Sequence, residues 1–137
     1  MESIDYSRLQ KALLSYKDTI DLYNEYTTEN AEQRKINSQV AAVIQNFEFT
    51  IEIAWKSIQK WLIEHGAHSN AFESKGKMFK IAAEEGLIDD PEAWLHFYRS
   101  RNLSSHTYGE EMAQTVFQTA LSFYQFAEKL NQKINNA

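Results

Sequence analysis

Arg101, Asn102, His106 and Tyr108 fall within one short run, Arg101-Asn102-Leu103-Ser104-Ser105-His106-Thr107-Tyr108. The arginine is a permanent cation whose planar fork of donors matches two phosphate oxygens. The histidine can take a proton from a ribose hydroxyl or give one to a leaving oxygen near neutral pH. Together they suit phosphodiester chemistry that needs no metal, and the phenol of Tyr108 is a further group suited to phosphate work. An Arg–His pair at this spacing also arises by chance. In that case Arg101 pairs with Glu110 or Glu111 and His106 caps a helix. Asn102, Tyr108 and an adjoining helix start, whose free N–H groups favour an anion, weigh toward a site.

The charge balance narrows what such a site can serve. Fourteen basic against nineteen acidic residues leave a net charge of -5. That argues against a protein that coats nucleic acid with a broad basic face, since phosphate neutralisation dominates such binding. A local phosphate site is still allowed, because from Glu92 to Tyr108 the only formal charges are Glu92, Arg99 and Arg101. No apolar run is long enough for a transmembrane helix. The first residues, Met1-Glu2-Ser3-Ile4-Asp5, lack the basic and apolar regions of a signal peptide, so a cytoplasmic protein is expected. The absence of cysteine rules out disulfides and thiolate metal sites.

Other chemical candidates carry less. Glu48, Glu52 and Lys56 step by four along one side of a helix and read as a solvated ion-pair row. The functional alternative has Glu48 or Glu52 reaching a cleft to orient His106 or a partner. His65 and His68, with Glu64, offer metal-ligand types, but Gly66 interrupts their helix, so no metal and no cofactor is expected. Gly76-Lys77 lacks the rest of a phosphate loop. Ser104 and Ser105 beside His106 lack a third group for a hydrolase triad.

The elements that must position Arg101 and His106 are helices. One proline and four glycines leave few breakers, and apolar residues recur at helical spacing nearly throughout. A first helix carries Leu9, Leu13, Tyr16, Ile20 and Tyr23, with Asp5 or Ser7 as its cap, and ends near Thr27-Thr28-Glu29-Asn30. A second runs from about Gln33 to His65 on Ile36, Val40, Val43, Phe47, Ile51, Ala54, Ile58 and Leu62, and Gly66 stops it. Phe49, Ile53 and Trp61 lie on another face of this helix, so it is either central or meets another subunit there. Of these, Trp61 and Phe49 are the candidates for a dimer or partner face. Ser74 caps a short third helix that ends at Gly86 and faces Met78, Phe79 and Ala82 inward. Asp90-Pro91 opens a fourth, with Trp94, Leu95, Phe97 and Tyr98 ahead of Arg101. A fifth runs from about Glu110 to Lys133 on Met112, Val116, Phe117, Ala120, Phe123, Tyr124, Ala127 and Leu130. Three long and two short helices predict an all-α, antiparallel helical bundle with a four-helix core, a single domain over residues 1–137. Arg101 then ends the fourth helix, and a loop carries His106 and Tyr108 into the fifth.

Arg101, His106 and Tyr108 spell R-x4-H-x-Y, which resembles the signature of the HEPN superfamily of small helical bundles. The chain looks most like its nucleotidyltransferase substrate-binding protein branch, related to HepT-type toxins. Phe47-Glu48-Phe49-Thr50-Ile51-Glu52 with Ala54-Trp55-Lys56 resembles the branch's second helix, and Glu84-Glu85-Gly86-Leu87-Ile88 the end of its third. His106-Thr107-Tyr108 with Glu110 resembles the start of its fifth. Gly109 and Ser74-Lys75-Gly76 depart from that pattern. The branch often has a residue able to cap the next helix after the tyrosine, and a proline and arginine at the third-helix start. The resemblance implies a homodimer with its two Arg–His sites on a shared cleft, partnered by a minimal nucleotidyltransferase encoded nearby, as in toxin–antitoxin pairs. It implies a nucleotide or RNA phosphate at Arg101, Asn102 and His106. In HepT-like members the Arg and His cleave RNA without a metal, which would make Arg101 and His106 catalytic and Tyr108 the acceptor of a silencing adenylate.

Overall fold

The computed structural model describes residues 6–104 and 110–136, without the side chains of 103–104 and 110–112. Its helices are α1 (Ser7–Thr28), α2 (Gln33–Glu64), α3 (Lys75–Glu84), α4 (Pro91–Ser104) and α5 (Glu110–Asn136). A single 3₁₀ turn, Ser69–Phe72, which the apolar spacing did not predict, bridges α2 and α3. No strand occurs among the described residues. The all-α bundle expected from the spacing is therefore the fold.

Local chemistry sets the helix ends. Ser74 Oγ accepts the Lys77 N–H at 3.1 Å, and Asp90 Oδ1 accepts the Ala93 N–H at 3.0 Å ahead of Pro91. At the end of α2 the chain turns left-handed at Gly66 (φ 79°), and the Ala67 N–H donates back to the Leu62 carbonyl at 2.9 Å. Gly86 (φ 80°) ends α3 the same way, with the Leu87 N–H on the Ala82 carbonyl at 2.9 Å. These are Schellman closures, which satisfy carbonyls that the helix leaves without donors. The start of α1 departs from expectation. Tyr6 occupies the cap position without a side-chain cap bond, Ser7 is already helical, and Asp5 lies outside the described residues.

α1 turns back on α2, both pack on α5, and α4 with its hairpin partner α3 closes the remaining side. The core is aromatic. Phe123 of α5 lies within 5.0–6.5 Å, centroid to centroid, of Phe97 and Trp94 of α4, Phe47 of α2 and Tyr16 of α1. One ring thus joins all four helices of the bundle. Tyr16, fully buried, donates its hydroxyl to the Ala120 carbonyl and so meets the need of a buried phenol for a partner. Burial raises its pKa, keeping it a neutral donor. The inward residues read from the spacing on α3 (Met78, Phe79, Ala82) are buried, as are Trp94 and Phe97 on α4. Leu95 and Tyr98 are half-buried.

The second face of α2 divides. Ile53 and Trp61 are each 8% exposed, whereas Phe49 is 56% exposed. Trp61, expected on a partner face, is instead stacked on His65 with centroids 3.7 Å apart. It lines one pocket with Gly86 and Leu87 after α3 and Gln132 on α5. His65 thus covers one face of the Trp61 ring, and the residues just after α3 line the gap beside it. Among the described residues, no helix is long and apolar enough to cross a membrane.

Candidate functional site

Arg101 sits in the last turn of α4, which continues to Ser104. The helix thus runs past Arg101, where a loop was expected to begin, and Arg101 and Asn102 share one helical frame. Half-buried, Arg101 faces α2. Its Nη1 lies 3.7 Å from Glu48 Oε2 and its Nε 3.7 Å from Glu52 Oε1. Glu48 and Glu52 are one turn apart on α2, so their carboxylates meet one guanidinium from adjacent levels. This corrects the solvated row expected for Glu48, Glu52 and Lys56. Both glutamates are about one-third exposed or less and point at Arg101. Lys56 instead lies 5.7 Å from the centre of the Trp55 ring.

What the two carboxylates do is orientational more than energetic. Partly exposed ion pairs at this separation contribute about 1 kcal/mol or less each, because solvent screens them and long side chains must be ordered. Two of them on opposite parts of one planar group restrict its rotation, which favours a defined edge for an incoming anion. Asn102 is exposed beside it. His106 and Tyr108 lie outside the described residues, between the end of α4 at Ser104 and the start of α5 at Glu110.

Beside Arg101 opens a cleft of about 260 Å³ between the start of α1 and the outer face of α2. Arg8, Lys56, Lys60 and Arg101 line it, and among the described residues Glu52 is the carboxylate in its wall. On a chain of net charge -5 this is a local reversal of sign. Tyr6 forms part of the wall and donates its hydroxyl to Glu64 Oε2 at 3.1 Å. Burial, then the Glu64 carboxylate, pushes the Tyr6 phenol up to about 12, so it stays neutral. The spacing did not single out Arg8 and Lys60. Lys56 and Lys60 share one side of α2, but Arg8 joins them only through the packing of α1.

The histidines weighed as metal ligands make structural contacts. His65 Nδ1 is 2.8 Å from the Trp61 carbonyl, and His68 Nδ1 accepts the Asn70 N–H at 3.2 Å.

Residues 4–136 match the family model for proteins like the nucleotidyltransferase substrate binding protein. The chain belongs to that family. A curated relative from Haemophilus influenzae, named probable ribonuclease HepT, is 31% identical to this chain over 80 residues. That match covers 57% of this chain and 55% of the relative, so the chain spans little more than half of that protein's length. A Haemophilus influenzae structure solved as the substrate binding domain of a nucleotidyltransferase superposes with a TM-score of 0.85 at 22% identity. It covers 96% of this chain and 99% of that one, and it establishes the common fold. A Thermus thermophilus protein superposes with a TM-score of 0.68 at 27% identity, over 91% of this chain and 97% of its own. The substrate-binding family thus has the helical frame that carries Arg101, and the expected membership holds.

Proposed function

We propose that this chain is the non-transferase, substrate-binding subunit of a two-protein nucleotidyltransferase system, holding a nucleotide or RNA phosphate at Arg101, Asn102 and His106. The observation that carries this reading is the setting of Arg101, held by Glu48 and Glu52 at the rim of a cationic cleft. An arginine kept only for stability would gain little from two partly exposed carboxylates. One that must present a fixed fork to a phosphate gains its geometry from them. The family description supports a nucleotidyltransferase as the partner, and in this reading the subunit works as a homodimer in the cytoplasm. Co-expression with the nucleotidyltransferase encoded alongside tests the pairing. The two chains are expected to co-elute in gel filtration, and separate elution at micromolar concentration removes the pairing.

The likeness to a probable ribonuclease favours a second reading, a metal-independent endoribonuclease of a toxin–antitoxin pair. In it Arg101 binds the scissile phosphate while His106 takes the proton of the ribose 2′-hydroxyl. The 2′-oxygen attacks phosphorus, the 5′-oxygen leaves with a proton, and a 2′,3′-cyclic phosphate forms. The partner silences the site when the Tyr108 phenol oxygen attacks the α-phosphorus of ATP and pyrophosphate leaves. Incubation of RNA with the purified chain in EDTA is expected to yield cyclic-phosphate ends, and His106→Ala is expected to yield none. If RNA stays intact with both, the ribonuclease reading goes and the binding reading remains.

A further inference from the structure

We propose that the cleft beside Arg101 is a second phosphate subsite, one that takes a neighbouring phosphodiester of a single-stranded oligonucleotide, with Phe49 as a platform for a base. The inference rests on the reading that Arg101 holds a phosphate, and it names what the rest of that ligand is.

Lys56 and Lys60 are exposed on successive turns of α2, and Arg8 comes across from α1 to the same cleft. Glu52, the contact of Arg101 on α2, is one turn before Lys56 and two before Lys60. With a rise of 1.5 Å per residue, the cations therefore extend about 12 Å along the helix axis from the level of Arg101. A row of that length suits successive phosphates of an extended strand. The polar groups between the cations are already committed to the protein. Tyr6 donates to Glu64, and Ser57 Oγ donates to the Ile53 carbonyl at 2.8 Å. Glu52, the carboxylate of the wall, is turned toward Arg101, and Glu64, one turn beyond Lys60, is bonded to Tyr6, so Lys56, Lys60 and Arg8 outnumber the acidic groups at that end.

Phe49 adds an exposed aromatic ring to the same cleft. It is 56% exposed and stands one residue after Glu48 on α2. A phenyl ring at the edge of a cationic groove is the arrangement by which single strands are bound without sequence readout, since every base has a face to stack. A duplex keeps those faces inside its stack, out of reach of the ring.

Fluorescence anisotropy with a labelled RNA hexanucleotide, across a salt series, tests this on the full chain. An unlabelled dinucleoside monophosphate followed by NMR serves as the short ligand. Lys56→Ala/Lys60→Ala is expected to weaken the hexanucleotide about tenfold and to flatten the slope of log K against log salt by about 1.4, two phosphates at about 0.7 each. The short ligand is expected to bind the double variant unchanged. Phe49→Ala is expected to weaken the hexanucleotide several-fold while sedimentation shows the same oligomeric state. All three residues are exposed, so helicity by circular dichroism is expected to be retained. An unchanged affinity and slope in the lysine variant overturns the subsite. If Arg101→Ala still weakens both ligands in that case, the Arg101 reading stands alone. If Arg101→Ala changes neither ligand while the lysine variant loses the hexanucleotide, the Arg101 reading falls and the groove remains. ATP that competes with the hexanucleotide and loses affinity equally in the lysine variant overturns the strand assignment. A Phe49→Ala chain that changes oligomeric state but keeps strand affinity moves Phe49 to a subunit interface and overturns its role here.

Discussion

Arg101→Ala is expected to weaken binding of a single-stranded RNA hexanucleotide about a hundredfold. Hydrogen bonds between a guanidinium and a charged acceptor contribute about 1.5–3 kcal/mol each, and every 1.4 kcal/mol is about tenfold in affinity. The loss has a second source. Without the arginine, Glu48 and Glu52 face the incoming phosphate as two uncompensated carboxylates on adjacent turns. Repulsion is then added to the missing attraction. Restoring neutrality tests this, because Glu48→Gln/Glu52→Gln in the Arg101→Ala background is expected to recover several-fold in affinity. Arg101→Lys keeps the charge but not the planar fork, so it is expected to fall between wild type and alanine. The thermal midpoint is expected to move by only a few degrees in these variants, since partly exposed ion pairs contribute about 1 kcal/mol or less. Anisotropy titration and thermal melts read both quantities on the same samples. Wild-type affinity in Arg101→Ala would remove Arg101 from the site.

Phe123→Ala is expected to be the most damaging single change to the fold, at about 3–5 kcal/mol. The side chain is fully buried, and its ring meets Tyr16, Phe47, Trp94 and Phe97 from three other helices. No one neighbour can move to fill the space without leaving its other contacts, so most of the cavity persists. For a domain of this size the midpoint is expected to fall by about 10 °C or more. Phe123→Leu, which keeps most of the volume, is expected to cost about half as much or less. Urea titration of the three chains measures the differences. A loss below about 1 kcal/mol in the alanine variant would mean that the four helices close on the cavity, contrary to the packing described.

The two results concern opposite ends of what can be read without a structure. Phe123 is visible as one member of an apolar stripe on α5, and its burial follows from the period of that stripe. The neighbours that make it costly to remove belong to other helices. Arg101 is visible as an arginine five residues before a histidine. Its pairing with Glu48 and Glu52 is not visible, because the two segments are about fifty residues apart and the glutamates fit a solvated row equally well.

The sequence by itself determined the helical class, the five main segments, the Ser74 and Asp90 caps and the Gly66 and Gly86 stops. These depend on backbone preferences and periodicities expressed within a few residues of one another. Only the tertiary structure decided that α4 runs past Arg101, that Glu48 and Glu52 hold it, and that Arg8 joins Lys56 and Lys60 in one cleft. It also decided between two aromatic residues of α2, burying Trp61 beneath His65 and leaving Phe49 in the open. Helical spacing specifies which side chains share a face, but which faces meet is settled by the packing of several apolar surfaces at once. On a helix that is apolar on more than one side, that choice is not encoded locally.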